Sequence, residues 1–389
     1  MRRRASAQAQ SAWRLPVTLA AAALLAFCAG LHALAAPVGS SGGASSLDIL
    51  RHDGGFERPQ RPRPFEFPRD HGPHPEYRHE WWYVTGNLDG SSGERFGFEL
   101  TFFRLALAPG ERASSGEPAS RWRTNQLYMA HFAITDVQAG RFRFAQRYAR
   151  QALGLAGATA EPLRVWLEDW SFSGTSGGWR LRARQADYDL ELDLTPLLEP
   201  VPNGEGGLSL RASDGSAASY YYSVPRLQAR GRIVRDGSSI EVQGLAWLDR
   251  EWGSGALTDQ HVGWDWFALQ LADGSTLMIY LLRRRDGRRD VHDTGTWVDP
   301  DGQVRHLAGD EVQLEVRDHW TSPRGGRYPS RWRLRVPALD LDLDVRPVMA
   351  DQELATSPRY WEGAVDVNGR RAGTAVTGRG YVELVGYAS

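Results

Sequence analysis

The sequence predicts an all-β protein of antiparallel strands, and three observations support this fold class. Residues 96–102, 188–194 and 339–345 alternate apolar with polar or small side chains, as strands with one buried and one solvated face do. Gly, Asp-Gly and Pro turns separate many such short segments, which is typical of barrels and sandwiches. Helical patterns are scarce, and the best candidate for a short helix is residues 148–155.

The chain also repeats itself. Residues 179–192 match residues 332–345 at a constant offset, and residues 82–90 match residues 266–274 at a second one. Gly244-Leu245-Ala246-Trp247 resembles Gly380-Tyr381-Val382-Glu383 near the end of the second copy. Because the order of the matches is preserved, we predict two related β-barrel domains, each opening with an aromatic strand and closing with a glycine-led one.

The domain boundary is expected near Gly253, which gives an N-terminal domain over 65–253 and a C-terminal domain over 254–389. Residues 37–64 are rich in Gly, Ser, Pro and Arg without an apolar period, so they are predicted to be a flexible linker. Folding is expected to begin near Phe65.

The first 36 residues are predicted to be a signal peptide. An arginine-rich start is followed by an apolar run over 17–31 and by Ala33-Leu34-Ala35, which fits a cleavage site near Ala35. We therefore expect an exported protein, periplasmic or secreted. Membrane attachment is expected only through an uncleaved signal or through lipidation of Cys28, which the preceding Phe27 disfavours.

Composition excludes several functions. A chain of 389 residues with a formal net charge of −1 lacks the positive field that attracts nucleic acid. The sequence has no phosphate-binding loop and no dinucleotide fingerprint, so we expect no cofactor. Cys28 is its only cysteine, which leaves no disulfide after cleavage.

Three segments combine acids with tryptophan, and together they predict one shared cleft. They are residues 78–86, 247–252 and 263–267, in a chain that contains 15 tryptophans. Side chains alternate along a strand. Glu80 therefore shares a face with Trp82.

The same alternation orders the two later segments. Trp264 and Trp266 share a face that excludes Asp265, while Trp247, Asp249 and Glu251 lie together on one side of their strand. Three alternatives are open for this last set. Arg250 or other arginines pair with the acids at a domain junction, or burial keeps one carboxyl protonated as a general acid, or the set recognises a ligand.

Other motifs favour structural roles. Residues 70–80 contain three histidines and three acids, but their spacing fits no zinc motif, so we expect no metal. Residues 174–178 match the nucleophile-elbow pattern, yet they lie in a turn of a β-protein, where that chemistry has no scaffold. Residues 220–222 are three consecutive tyrosines, expected to place one ring inside a barrel and two outside.

Ten segments together resemble the AttH/CrtC family. They are Asp70-His71-Gly72, His74, Glu80-Trp81-Trp82-Tyr83 with Thr85-Gly86, Leu100-Thr101-Phe102-Phe103-Arg104, Ala130-His131-Phe132-Ala133, Gly154-Leu155-Ala156-Gly157, Ser219-Tyr220-Tyr221-Tyr222-Ser223, Trp247-Leu248-Asp249-Arg250-Glu251-Trp252-Gly253, Gly263-Trp264-Asp265-Trp266-Phe267 and Tyr360-Trp361-Glu362-Gly363. The family consists of two-domain lipocalin-like proteins and includes carotenoid 1,2-hydratases and exported proteins described as secreted hydrolases. The resemblance covers residues 65–389.

The resemblance implies two lipocalin-like antiparallel β-barrels with a cleft between them. Its enzymatic branch implies addition of water to an isoprenoid double bond, which needs a carboxylic acid and aromatic faces around a cation. The catalytic candidates are Asp249, Glu251, Asp265 and Glu80. The ligand-binding candidates are Trp81, Trp82, Tyr83, His131, Tyr221, Trp247, Trp264 and Trp266.

Three functional hypotheses follow. The first is an exported carrier that binds a hydrophobic small molecule, a lipid or an isoprenoid, and serves an ABC transporter. The alternative is a cofactor-independent hydratase or hydrolase that protonates an alkene. A module that binds another envelope protein is the third. Whether the protein is an enzyme is left open by the sequence.

Overall fold

The computed structural model describes residues 54–110 and 124–388, and β-strands account for most of them. The predicted signal peptide 1–36 and the first part of the predicted linker, 37–53, lie outside the described residues. Both sheets described below belong to one compact unit. The helices of the described part are short 3-10 turns over Arg69–His71, Gly309–Glu311 and Pro337–Leu339, and none is long and apolar enough to cross a membrane.

The first sheet contains the strands from His79 to Gly253. They are β1 His79–Gly90, β2 Arg95–Ala106, β3 Gln126–Asp136, β4 Arg141–Arg150, β5 Ala156–Ala160, β6 Leu163–Leu167, β7 Trp170–Thr175, β8 Gly178–Gln185, β9 Tyr188–Pro196, β10 Val201–Pro202, β11 Leu208–Leu210, β12 Ala218–Arg235 and β13 Ser238–Gly253. Their order across the sheet is β4-β3-β2-β1-β13-β12-β9-β8-β7-β6-β5, with β10 and β11 paired to β12.

The second sheet contains the strands from His261 to Val385. They are β14 His261–Leu271, β15 Thr276–Arg284, β16 Thr294–Val298, β17 Val304–Ala308, β18 Gln313–Thr321, β19 Arg327–Val336, β20 Leu341–Pro347, β21 Glu353–Leu354, β22 Tyr360–Arg371 and β23 Thr374–Val385. Their order is β17-β16-β15-β14-β23-β22-β20-β19-β18, with β21 paired to β22. Both sheets are curled, one of them nearly into a barrel and the other into a half-barrel.

The two strand orders confirm the predicted duplication. In each sheet the first strand pairs with the last one, β1 with β13 and β14 with β23, and the next strands follow in the same sequence on both sides. The matched tryptophans occupy equivalent strands, since Trp179 lies on β8 and Trp332 on β19. The prediction of an all-β fold with a cleft between two related halves is therefore confirmed.

The predicted helix at residues 148–155 is wrong. Residues up to Arg150 belong to β4, where Tyr148 lies opposite Met129 of β3, and the chain then turns through Gly154 at a φ of +76°. A helical pattern of about two turns predicts a helix only weakly, because short helices gain little from their own hydrogen bonds. Pairing of β4 with β3 satisfies the same backbone groups and outweighs this weak helical preference.

The segment before β1 packs on the first sheet. Phe56 is buried, the Arg63 guanidinium lies 2.8 Å from the Asp70 carboxylate, and the Tyr220 hydroxyl donates to the Arg61 carbonyl oxygen at 3.1 Å. Contacts with the fold thus begin before Phe65, within the stretch that composition alone assigns to the linker.

Three hydrophobic clusters form the core. One fills the first sheet around Trp82 and Phe102, and a second fills the other sheet around Phe267 and Trp332. The third lies between the sheets and contains side chains of both, among them Tyr83, Trp247, Trp266, Tyr280, Tyr360 and Tyr381. Each central strand therefore has two buried faces, one toward its own barrel and one toward the partner sheet.

Candidate active site

A cavity of about 270 Å³ lies between the two sheets. Its wall is mostly aromatic and apolar. The aromatic lining residues other than histidine are Trp81, Tyr83, Phe103, Tyr148, Tyr221, Trp264, Trp266, Tyr280 and Tyr360, and the acidic ones are Glu80, Asp249, Glu251 and Glu383. Such a site is suited to a hydrophobic molecule, which a small number of well-placed polar groups then contact.

The alternation of β1 and β13 decides which side chains reach the cavity. On β1, His79, Trp81 and Tyr83 line it. Across the strand pair, Glu251 lies opposite Trp81 and Asp249 lies opposite Tyr83. Residues directly opposite each other in an antiparallel pair share a face, so the two acids of β13 stand beside the aromatic side chains of β1.

Asp249 is held by neutral donors. Trp247 Nε1 and Ser223 Oγ donate to its Oδ1 at 2.6 and 2.5 Å, and the Tyr221 hydroxyl donates to Oδ2 at 2.6 Å. Burial raises the pKa of Asp249 to about 7, against the opposing effect of these hydrogen bonds. A large fraction of this carboxyl is therefore protonated at neutral pH.

The Tyr221 hydroxyl lies between Asp249 and Trp266 of the second sheet. Its hydroxyl oxygen accepts a hydrogen bond from Trp266 Nε1 at 3.1 Å, and both rings line the cavity. The expectation that two of the three tyrosines at 220–222 are exposed is wrong, because all three are buried. Tyr220 and Tyr222 belong to the core of the first sheet, while Tyr221 belongs to the cluster between the sheets.

Glu251 has a cation as its partner. Arg211 Nη2 forms an ion pair with it, and Ser219 Oγ donates to the same oxygen at 2.5 Å. Arg211 in turn donates from Nε to the Tyr280 hydroxyl at 3.1 Å. Two of the three alternatives left open by the sequence therefore occur on one strand, arginine pairing at Glu251 and a raised pKa at Asp249.

Glu383 is a cavity acid that the sequence did not single out. It lies on β23 opposite Trp266, and its Oε2 accepts a hydrogen bond from Trp264 Nε1 at 2.8 Å. Burial, with Asp249 and Glu251 nearby, raises the pKa of Glu383 to about 7. The available signal was the repeated sequence, in which Gly380-Tyr381-Val382-Glu383 matches Gly244-Leu245-Ala246-Trp247.

Glu80 contributes to the cavity wall, but its carboxylate is engaged with cations. Arg250 Nη2 lies 2.8 Å from Oε2, Arg104 Nε binds Oε1, and the His74 backbone N–H donates at 3.1 Å. Although burial opposes ionisation, Arg104 and Arg250 hold the pKa of Glu80 well below its usual value. This carboxylate has no proton to give at neutral pH.

Three further predicted residues lie off the cavity wall. Trp82 belongs to the core of the first sheet, where the Arg250 guanidinium lies 4.0 Å from its ring centre. Trp247 is buried and reaches the site through its hydrogen bond to Asp249. Asp265 points away from Trp266, accepts hydrogen bonds from the Tyr387 hydroxyl at 3.0 Å, and has its pKa raised to about 7 by burial.

His131 lies on the cavity wall beside Tyr360, with 2.6 Å between His131 Nδ1 and the Tyr360 hydroxyl oxygen. Burial lowers the pKa of His131 to about 3, so its imidazole is neutral. Among residues 54–110 and 124–388, no group of three or more His, Cys, Asp or Glu side chains is arranged to hold a metal ion.

Comparison with known proteins places the chain in a family. A family model described as AttH-like matches residues 58–387. The crystal structure assigned as an AttH of Nitrosomonas europaea is 37% identical, covers 85% of this chain and 100% of its own, and superposes with a TM-score of 0.73.

Two fungal proteins are more distant. Kievitone hydratase of Nectria haematococca shares the fold, with a TM-score of 0.64, 14% identity and coverage of 86% of this chain and 98% of its own. The dehydratase asqC of Emericella nidulans is 24% identical over 223 residues, which are 53% of this chain and 61% of the dehydratase. Because the family model spans the whole described fold, the chain belongs to the AttH-like family.

Proposed function

We propose that this protein is a cofactor-independent hydratase or dehydratase that acts on a hydrophobic alkene or alcohol in the cavity between the sheets. The observation that carries the proposal is the Asp249 carboxyl, which is buried, has a pKa near neutrality and is hydrogen-bonded to a tyrosine on the cavity wall. A general acid works best when its pKa lies near the working pH. Two relatives with hydratase or dehydratase names share the fold or part of the sequence.

The hydration step uses two carboxyls. When Asp249 is protonated, the hydrogen bond between it and Tyr221 runs in the opposite direction, from the carboxyl to the Tyr221 oxygen. Asp249 then gives its proton to that oxygen while the Tyr221 hydroxyl gives its own proton to one alkene carbon, which leaves a cation on the other carbon. Trp266 and Trp81 present aromatic faces in this cavity, and such faces stabilise a cation. Water adds to the cation and loses a proton to ionised Glu383. The proton then returns from Glu383 to Asp249 by exchange with solvent, so the net change is addition of one water molecule.

The charge states of the two carboxyls support this division of labour. Asp249 and Glu383 both have a pKa of about 7, and the charge of Asp249 contributes to raising that of Glu383. Repulsion between two buried carboxylates favours the state in which one is protonated and the other ionised. That state supplies an acid and a base at once, and dehydration is the same sequence in reverse.

The remaining catalytic candidates take other roles. Glu251 and Glu80 are bound by arginines, so they orient neighbouring groups and fix the wall. Trp247 and Ser223 position the Asp249 carboxyl through hydrogen bonds. The carrier hypothesis uses the same cavity but assigns no role to a protonated Asp249, so we give the enzyme priority. Export, an ABC transporter as partner and a signal peptide stay predictions of the sequence.

The test is turnover in water labelled with ¹⁸O. The purified protein is incubated with a panel of isoprenoid and aryl alkenes, and products are analysed by mass spectrometry. We expect ¹⁸O-labelled alcohol from the wild type and a loss of about 10²- to 10⁴-fold in Asp249→Asn. The matched control is Asp265→Asn, because Asp265 has a similar pKa but lies outside the cavity, and it should keep full turnover.

Two results would contradict the proposal. Turnover that survives in Asp249→Asn would exclude Asp249 as the acid. Tight binding of a hydrophobic compound, with no compound of the panel gaining ¹⁸O or losing water, would favour the carrier hypothesis.

A further inference from the structure

His79 differs from every other buried histidine among the described residues. It is 3% exposed, and neither of its ring nitrogens has a hydrogen-bonding partner. The other buried histidines have ring partners: His74 contacts Asp70 and Glu80, His131 contacts Tyr360 and Gln146, and His261 contacts Asp290. A buried polar group without a partner costs free energy, so His79 needs an explanation.

The ring of His79 belongs to the cavity wall. His79 lines the cavity together with Trp81, with which it is nearly parallel, at 5.8 Å between ring centres and 11° between planes. Being two residues apart on β1, the two side chains share a face. The imidazole therefore lies at the cavity wall beside an aromatic neighbour, and both of its nitrogens are buried and unpaired.

The charge of the ring is fixed by its surroundings. Burial lowers the pKa of His79 to about 3, and the cations of Arg211, Arg104 and Arg78 act in the same direction. A neutral imidazole carries one N–H donor and one bare nitrogen acceptor. A hydroxyl group matches either nitrogen, because it accepts from the N–H or donates to the bare nitrogen. The same cations disfavour a positively charged guest.

The distance to the reacting end follows from the strand register. His79 lies opposite Gly253, whereas Asp249 lies opposite Tyr83, four residues further along both strands. At about 3.3 Å per residue, the two positions are about 13 Å apart along the sheet. Trp81 lies between them on the same face. The wall between the two polar ends therefore presents an aromatic surface.

We propose that His79 is a substrate-recognition residue that hydrogen-bonds a neutral hydroxyl group of an elongated, mostly apolar substrate, at the opposite end from the carbon protonated through Asp249. This inference rests on the proposed function and extends it. It defines the substrate class as hydroxylated aromatic or isoprenoid molecules rather than pure hydrocarbons. The proposal assigns His79 to specificity, because its strand position lies about 13 Å from that of Asp249.

The test is a binding measurement with matched probes, which needs no turnover. Isothermal titration calorimetry compares 4-phenylphenol with biphenyl, which differ by one hydroxyl. We expect the wild type to bind 4-phenylphenol about tenfold more tightly, since a buried partner left unsatisfied costs roughly that factor. In His79→Phe, which keeps an aromatic ring on Trp81, the two probes should bind within about twofold of each other.

Controls separate recognition from folding. His306→Phe changes a histidine of β17 that does not line the cavity, and it should keep the wild-type preference. His79→Gln restores a donor and an acceptor and should recover part of it. If His79→Phe fails to fold, the wild type and His79→Gln still test the proposal. The affinities of the wild type for 4-phenylphenol and biphenyl are measured without any variant, and equal affinities would overturn it.

Three outcomes would overturn the proposal. One is equal affinity of the wild type for both probes, and another is a preference that persists in folded His79→Phe. The third is tighter binding of biphenyl-4-carboxylate than of 4-phenylphenol, which would indicate an anion site. Failure of the hydratase proposal can be distinguished from failure of the His79 proposal. If Asp249→Asn keeps full turnover, the hydratase proposal fails, but the preference for 4-phenylphenol over biphenyl that depends on His79 is unchanged.

Discussion

Glu80 and Asp249 are both buried carboxyls on paired strands of the first sheet, yet they have opposite electrostatic properties. Glu80 is 0% exposed and Asp249 is 4% exposed. Glu80 faces two arginines and has its pKa held well below the usual value. Asp249 has a tryptophan, a serine and a tyrosine as donors, and burial raises its pKa to about 7.

The difference shows that partners rather than depth decide what a buried acid does. Burial penalises the charged form of both groups. A nearby guanidinium outweighs that penalty at Glu80, and neutral donors do not outweigh it at Asp249. One sheet therefore carries a structural carboxylate on its inner face and a proton donor on the face that meets the second sheet.

The largest expected effect on the free energy of unfolding comes from removing the charge of Glu80. Glu80→Gln leaves Arg104 and Arg250 buried without their anion, and we expect the free energy of unfolding to fall by about 3–5 kcal/mol. Chemical denaturation measures it. The control is Glu191→Gln, which removes a partly exposed partner of Arg182 and Arg232 and should cost less than about 1 kcal/mol. Equal losses in both variants would contradict the special status of Glu80.

The raised pKa of Asp249 predicts that the stability of the protein depends on pH. The pKa of Asp249 is raised from 3.8 to about 7 on folding, so between these values the native state binds a proton that the unfolded state has lost. The contribution of Asp249 is full below pH 4 and is lost as pH rises to about 7, with a slope of at most about 1.4 kcal/mol per pH unit.

Denaturation curves at several pH values test this slope. Asp249→Asn should flatten the wild-type decline between pH 4 and pH 7, whereas Glu241→Gln, at an exposed position, should leave it unchanged. A decline that is the same in the wild type and in Asp249→Asn would show that Asp249 titrates normally.

Turnover should depend on pH through the same two cavity carboxyls. With Asp249 as acid and Glu383 as base, both with a pKa of about 7, the rate should be highest near pH 7. It should fall by up to about tenfold per pH unit on either side, above it as Asp249 ionises and below it as Glu383 is protonated. In Glu383→Gln the decline on the acid side should disappear. A rate that rises steadily through pH 9 would contradict both roles.

The smallest effect concerns the hydrogen bond that Trp264 gives to Glu383. This bond lowers the pKa of Glu383 against burial, so Trp264→Phe should move that pKa further above 7 and reduce the free energy of unfolding by about 1 kcal/mol at pH 8. Carbon-13 NMR of the glutamate carboxyls follows the titration. Trp266→Phe removes a donor to Tyr221 instead, and the Glu383 titration should not move by a comparable amount.

Much of the fold could be predicted because its signals are local. Strand alternation and turn residues predicted the all-β class, and the repeated motifs predicted two halves with the same strand order. Parity also placed Trp247, Asp249 and Glu251 on one side of β13, in agreement with their contacts. The helix at 148–155 failed because its local pattern was too short to compete with pairing between β3 and β4.

The sequence by itself determined which side chains share a face of a strand, since the period of two is fixed by the backbone. Only the tertiary structure decided what each face meets. Arg104 and Arg250 reach Glu80 from 24 and 170 residues away, and Glu383 reaches the Asp249 cavity from the second sheet. Proton affinity depends on burial and on charges within a few ångströms, and both are set by contacts between distant segments that no local pattern encodes.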